Sequence, residues 1–485
     1  MNCKIYLEKR DCFTYPSSEA YFSPHIHYPE YPFSDDTISP FKNEVYDMVR
    51  YSLFGMGLDS ENFGNKEWNP LGDYVRPGSR ILLKPNWVNH VNKIGGLDCT
   101  VTHPSVIRCI IDYCVVAKAK IIEIGDAPIQ DCNFDFLMET HGYRRLFDYV
   151  RNKGVDILVS DFRITVSKYF LSKRIILQNK NKNRCEVVEF DLVGNSNFGN
   201  IEQNQRYRSI NYPDDKLNNR HNKNHHKYLI NKSIFTADLI INLPKPKSHR
   251  FAGITAAQKN FIGICSEKDY LPHYRIGAPE NSGDESNKLS ILGKIFSLLD
   301  RQRCKNIEKR NIFMQFFYGF MQYCIMKYKN IFASGQYFFN GRWHGNDTIW
   351  RTILDVNSLL LYGHADGNLD FNSPPRNILT IGDMIISGEK EGPLKPSPKP
   401  LGIILVSNNS ALFDYIFCKI AQFDYTLIPT VKNSIGNKFL FRDSLDKISM
   451  CSNQEDLSNI LLNNISFPMD WRFKPNSAWE EIINN

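Results

Sequence analysis

The residues best equipped for chemistry gather in one stretch, LPKPKSHRFAGITAAQKNFIGI, residues 243–264, directly after the apolar run FTADLIIN. Leu243 and Lys245 each precede a proline, which biases both toward extended backbone. Alternation along an extended segment predicts that Lys245, Lys247 and His249 point to one side. Two ammonium groups about 7 Å apart repel by roughly 2.5 kcal/mol at an effective dielectric near 20, and a bound anion relieves that repulsion. The prolines argue against a central strand, so the segment is expected as a ledge beyond a strand end. After Gly253, ITAAQKNF predicts a short helix with Thr255 and Lys259 on one face, followed by Asn260. Free N–H groups at the start of that helix would face an anion.

Carboxylates supply the complementary half. Asp126 and Asp383 each follow a glycine at the end of an apolar run, and Glu389, Glu391 and Asp414 lie further along. Beside several lysines they could transfer protons, hold a divalent cation against a phosphate, or serve as structural partners of the lysines. His103 and His273 add candidate acid–base groups. His221, His225 and His226 are expected in a soft polar loop, RHNKNHHK, and are not assigned to a metal. The twelve cysteines are scattered without a CxxC pair, so neither an iron–sulfur cluster nor structural zinc is expected. No GxGxxG stands behind hydride transfer and no GxSxG behind a covalent serine mechanism.

These groups need elements to hold them. Short apolar runs alternate with helical patterns, which predicts an α/β fold: a mostly parallel sheet flanked by helices. The strands are expected at RILL (80–83), KIIEI (120–124), VDILV (155–159), ADLIIN (237–242), NILTI (377–381) and GIILV (402–406). HPSVIRCIIDYCVVA (103–117) and SALFDYIFCKIAQF (410–423) are expected as helices, the second capped by Asn409 or Ser410. If the strands are parallel neighbours, Lys84-Pro85-Asn86, Gly125-Asp126, the lysine stretch, Gly382-Asp383 and Ser407-Asn408-Asn409 share the carboxyl edge where open sheets bind ligands. Residues 166–232 and 266–349 are expected as insertions, the first built on a hairpin whose turn lies in NKNKN. Residues 1–75 are expected as a wrapping extension of the 76–435 domain, and 436–485 as a tail packed on it.

With 42% hydrophobic and 23% charged residues, the composition is that of a globular chain. The net charge of +7 is spread out, which favours anionic partners only mildly. No zinc finger, helix-turn-helix or RNP signature points to nucleic acid. The N-terminus, MNCKIYLEKRDCF, shows no apolar signal region, so a cytoplasmic protein with reduced thiols is expected. NIFMQFFYGFMQYCIMKYK (311–329) is too short and too interrupted, by Gln315 and Gln322, to span a bilayer. It is expected as a core helix or, given its flanking Lys and Arg, as an interfacial helix on an anionic membrane surface.

Together, ILLKPNWV, VTHPSVIR, IIEIGDAP, LIINLPKPKSH, GITAAQKNFIGI and IGDMIISGEKEGPL resemble the DUF362 family of uncharacterised prokaryotic proteins, over about residues 75–435. The resemblance carries over onto Lys84, Pro85, Asn86, Thr102, Pro104, Gly125, Asp126, Lys245, Lys247, His249, Thr255, Lys259, Asn260, Gly263, Asp383, Glu391, Gly392 and Asp414. Many relatives carry a ferredoxin-type segment whose cysteines this chain lacks, so their redox role does not transfer. The long form resembles members found beside cell-surface polysaccharide genes. The resulting expectation is an enzyme acting on an anionic metabolite: a sugar phosphate, sugar nucleotide or lipid-linked sugar. Lys84, Asn86, Lys245, Lys247, Thr255, Lys259, Asn260 and Glu391 would bind it, and Asp126, Asp383 or His249 would move protons. The rival expectation is a non-catalytic accessory protein of polysaccharide assembly, docked through 311–329.

Overall fold

A computed structural model describes the chain except residues 1–2, 36–37, 171–172, 181–184, 202–205, 289, 333–337, 373 and 485. Its centre is an eleven-stranded sheet. In chain order the strands are β1 (Ile5–Lys9), β2 (Arg80–Pro85), β3 (Ile121–Asp126), β4 (Ile157–Asp161), β5 (Leu239–Leu243), β6 (Lys247–His249), β7 (Gly253–Thr255), β8 (Asn377–Glu391), β9 (Lys395–Ser407), β10 (Ser449–Ser452) and β11 (Ile460–Leu461). The spatial order is β11-β10-β1-β9-β8-β5-β2-β3-β4, with β6 and β7 attached beside β8. The pairings β8–β5, β5–β2, β2–β3 and β3–β4 are parallel.

Alternation along these strands decides which layer each residue joins. Ile81, Leu83, Ile122, Ile124, Leu239 and Ile241 face helices α1 (Glu44–Gly55) and α2 (Pro104–Val116). Leu82 and Ile240 face the opposite layer, where Val356, Leu359 and Leu360 of a helix spanning Ile349–Tyr362 close the core. Burial on both faces is what near-continuous runs such as RILL and LIIN encode.

Along the parallel part, chain order runs outward from β2 through β3 to β4, then returns to the other side of β2 for β5 and β8. The crevice between β2 and β5 is therefore a topological switch point, where open sheets bind ligands.

Three expectations are corrected. GIILV lies in β9, antiparallel to β8, because the long β8–β9 hairpin turns the chain back. Ser407, Asn408 and Asn409 thus sit at the opposite edge, where Asn409 caps the next helix by accepting from Leu412 N. Lys247–His249 is a short strand rather than a free ledge, paired with Gly253–Thr255 and touching Gly388 of β8. In the first insertion, Lys173–Gln178 pairs backward with Thr165–Phe170, while Val187–Asp191 pairs with His225–Asn231. The hairpin expected across NKNKN is therefore not made, and residues 181–184 lie outside the described residues.

The N-terminal segment is more than a wrapping. Its strand β1 lies inside the sheet, between β9 and β10. No helix among the described residues is long and apolar enough to cross a membrane.

Candidate functional site

The carboxyl ends of β2, β3 and β5 open into a cavity of about 230 Å³. Asn86, Asp126, His249, Thr255, Lys259 and Asn260 of the predicted residues line it, together with Arg174, Arg250, Lys268, His273 and the segment 209–212. Six of the eleven predicted site residues thus meet in one place. Lys84, Lys245, Lys247, Asp383 and Glu391 do not line it, and each has a local reason.

Lys84 Nζ lies 2.8 Å from Asp126 Oδ1, and both side chains are buried. The ammonium also donates to Pro85 O, while Asp126 Oδ2 accepts from Trp87 N at 2.7 Å. Gly263 presses on the pair. A Cβ there would lie 1.9 Å from Asp126 Oδ1, so only glycine fits. Asp126 reaches the cavity wall with both oxygens already engaged.

Lys245 turns the other way. Its Nζ lies 3.0 Å from Asp383 Oδ2, with both side chains fully buried. Tyr15 completes the cluster: it donates to Asp383 Oδ1 at 2.6 Å and accepts from Lys245. His103 N donates to Asp383 Oδ2 at 2.9 Å, and the His103 ring stacks on Tyr15 at 3.8 Å. Nothing in the sequence marks Tyr15 as the partner of a lysine so far away.

Lys247 donates to Asn86 Oδ1 at 2.8 Å and to Thr100 O, and makes no ion pair among the described residues. Burial, and then Lys245, depress its ammonium to about 7. Asn86 in turn donates to Asn260 Oδ1 at 2.9 Å, and Asn260 donates to Asn242 Oδ1 and Lys84 O. This amide ladder stitches β2, β5 and the helix Ala257–Asn260 together, so Asn86 and Asn260 are largely spent on structure. Glu391 is exposed at the end of β8 and accepts from Asn476 Nδ2 at 2.9 Å and from Ser477 N. It belongs to the docking of the C-terminal tail.

The cavity itself is cationic. Lys259 is held among Lys268 and Arg250, and its ammonium has no hydrogen-bond or ion-pair partner among the described residues. Burial first, then Lys268 and Arg250, push its pKa down to about 7. Lys268 donates to Ile262 O at 3.1 Å and is pushed down to about 8, chiefly by burial. Arg250 is lowered to about 9 by burial and by Arg342, and its Nε is buried without a partner. The Thr255 hydroxyl is also buried without one. Unpaired polar groups of this kind are costly unless something occupies the space between them.

Two histidines in this wall have fixed and opposite tautomers. His249 Nδ1 accepts from Phe251 N (3.0 Å) and Ala252 N (3.1 Å), which leaves the proton on Nε2. The tight turn that aims those amides depends on Gly253, at φ +75°. His273 Nδ1 donates to Leu271 O at 2.8 Å, which leaves Nε2 as an acceptor. Burial keeps both rings neutral: His249 falls well below its ordinary value and His273 to about 4. The wall therefore offers one imidazole donor and one imidazole acceptor.

The expected anion at the start of the ITAAQKNF helix meets a prior occupant. Helix Ala257–Asn260 begins with Ala257 N and Gln258 N donating to Asp414, at 2.6 and 3.2 Å. Burial raises that carboxyl to about 8.

Asp98, His103 and His141 bring three ligand-type atoms within 4.8 Å of one another. His103 Nδ1, however, accepts from Ser105 N at 3.1 Å, so Nε2 carries the proton and the ring has no free lone pair. That arrangement does not suit a metal ion.

Arg174, Arg250 and Lys268 escaped sequence reasoning. Arg250 stood inside the quoted stretch and Lys268 just past it, but neither falls on the alternation that singled out Lys245, Lys247 and His249. Arg174 comes from the first insertion and is oriented by Asp131 at 2.9 Å.

No curated protein matches this chain. Among solved structures, a crystal structure of a protein from Thermotoga maritima is 10% identical and covers 73% of this chain and 54% of that one, with a TM-score of 0.29. The lactate racemase apoprotein from Thermoanaerobacterium thermosaccharolyticum is 14% identical and covers 78% of this chain and 55% of that one, also at 0.29. The chain spans about half the length of each. The family model for a domain of unknown function, DUF362, matches residues 81–180 and 195–419. That match takes in every strand of the parallel core and nearly all of the cavity wall, and the chain belongs to the DUF362 family.

Proposed function

We propose that this chain is an enzyme whose switch-point cavity binds a small anionic metabolite, phosphorylated or carboxylated. The observation that carries the reading is the Lys259 ammonium, half-buried in the cavity wall beside Lys268 and Arg250 without a countercharge among the described residues. One bound anion would satisfy all three cations and the orphan Thr255 hydroxyl at once. His249 would donate to the ligand through Nε2 and His273 accept from it, a pair suited to moving a proton across a bound group. Asp126, locked to Lys84, positions the wall. Sugar phosphates, sugar nucleotides and lipid-linked sugars all present such an anion, and a place in cell-surface polysaccharide synthesis is the narrower form of the reading. The second reading, an accessory binding protein of such an assembly, draws on the exposed aromatic hairpin described below.

The test is a thermal-shift screen with phosphate, glucose 1-phosphate, UDP-glucose and Mg²⁺, repeated with Lys259→Met and Lys268→Met. A ligand-induced rise that both substitutions remove is expected. If neither substitution alters any shift, the cavity is not an anion site.

A further inference from the structure

We propose that the helical hairpin formed by Ile291–Glu308 and Ile312–Phe332 docks this chain on the surface of an anionic lipid bilayer. The second helix is inverted relative to a core helix. Its glutamines point inward: Gln315 donates to Asn306 O at 3.2 Å and Gln322 to Asp300 Oδ1 at 3.0 Å. Its phenylalanines point to solvent, with Phe313 77%, Phe316 59% and Phe320 55% exposed. The first helix adds Ile291 at 80% and Leu298 at 54%. So many exposed large apolar side chains on one helical hairpin are rare on a protein that meets only water.

Charge identifies the occupant. Residues 291–327 hold seven Lys or Arg against two Asp or Glu, a net of +5 where the whole chain carries +7. Arg301, Arg303 and Lys305 are tied to Asp214, Asp300 and Asp215. Lys294, Lys309, Arg310 and Lys327 are exposed and have no acidic partner among the described residues. Aromatic side chains beside free basic groups match the boundary between acyl chains and anionic headgroups. A second copy of this chain would bring like charges together. A spanning role is excluded for the described helices.

The hairpin is a fixed platform. Asp300 binds Arg208 at 2.6 Å, and Arg303 donates to Asn211 Oδ1 at 2.8 Å. Both partners flank or form the 209–212 wall of the cavity, so a docked hairpin would hold that wall beside the lipid surface. The proposal does not rest on the cavity's function, and its test reads membrane binding alone.

The test is flotation at low salt with phosphatidylcholine vesicles, with and without about 30 mol % phosphatidylglycerol. Flotation with the anionic vesicles only, reversed by high salt, is expected. The triple variant Phe316→Gln, Phe317→Gln, Phe320→Gln should bind at least about tenfold more weakly, and Lys309→Glu with Arg310→Glu several-fold more weakly. Unchanged thermal midpoints would show that the variants fold. Absence of flotation of the wild-type protein at low salt overturns the proposal. So does self-association in light scattering that the triple variant abolishes, because the face would then be covered by a second copy.

Discussion

Lys245 and Lys259 come from the same short stretch, one fully buried and the other half-buried in the cavity wall, and meet opposite fates. Lys245 is neutralised by Asp383 at 3.0 Å and bonded to Tyr15, and its carboxylate partner is also held by His103 N. Lys259 has two more cations for neighbours and no acid among the described residues. The first arrangement is complete without a ligand, whereas the second is not. A buried, fully paired lysine is structure, and a half-buried, unpaired one beside open space is a candidate binding site.

Breaking the paired side should have the largest effect. Lys245→Met leaves Asp383 charged in the interior and should cost about 3–5 kcal/mol in urea denaturation, while adding Asp383→Leu should recover much of the loss. A loss below about 1 kcal/mol would erase the distinction between the two lysines. Next comes Asp414→Ala, which strips the cap from Ala257 N and Gln258 N and should cost about 1–3 kcal/mol.

Lys259→Met should be smaller and of opposite sign: neutral, or stabilising by about 1 kcal/mol in the ligand-free protein, because it removes an uncompensated charge. Its pKa is lowered on folding, so between about 7 and 10.5 the unfolded chain binds more protons than the folded one. Lys259 therefore contributes stability that rises with pH across that window, as do Lys247 and Lys268, while the raised carboxyl of Asp414 and the buried thiols contribute in the opposite sense. Denaturation at pH 7 and pH 9 should show a smaller rise in Lys259→Met than in the wild type; an equal rise would mean that Lys259 is not depressed. The smallest effect belongs to Glu391→Gln, an exposed tail contact, expected to change stability by less than about 0.5 kcal/mol.

The parallel core was legible because doubly buried strands leave continuous apolar runs, and β2, β3, β5 and β8 all do. The direction of β9 was not, because GIILV reads alike in either orientation and only the β8–β9 hairpin settles it. At the site, residue type found the lysines but not their partners. Asp383 and Tyr15 reach Lys245, and Asp414 reaches the Ala257 helix, from distant parts of the chain through tertiary packing alone. Alternation grouped Lys245, Lys247 and His249 but could not give their partners, which are Asp383 with Tyr15, Asn86 with Thr100 O, and the amides of Phe251 and Ala252. Periodicity found the aromatic stripe at 312–325, yet it cannot tell which side of a helix faces the protein. Gln315 and Gln322, which read as interruptions, are the anchoring residues.

Whether Lys259 waits for an anion is tested most directly by calorimetric titration of the intact protein with inorganic phosphate at neutral pH. The predicted result is saturable binding to the wild type, retained in Glu391→Gln and weakened at least about tenfold, or roughly 1.4 kcal/mol, in Lys259→Met. Equal affinity in Lys259→Met, or no binding of phosphate by the wild type, would contradict it.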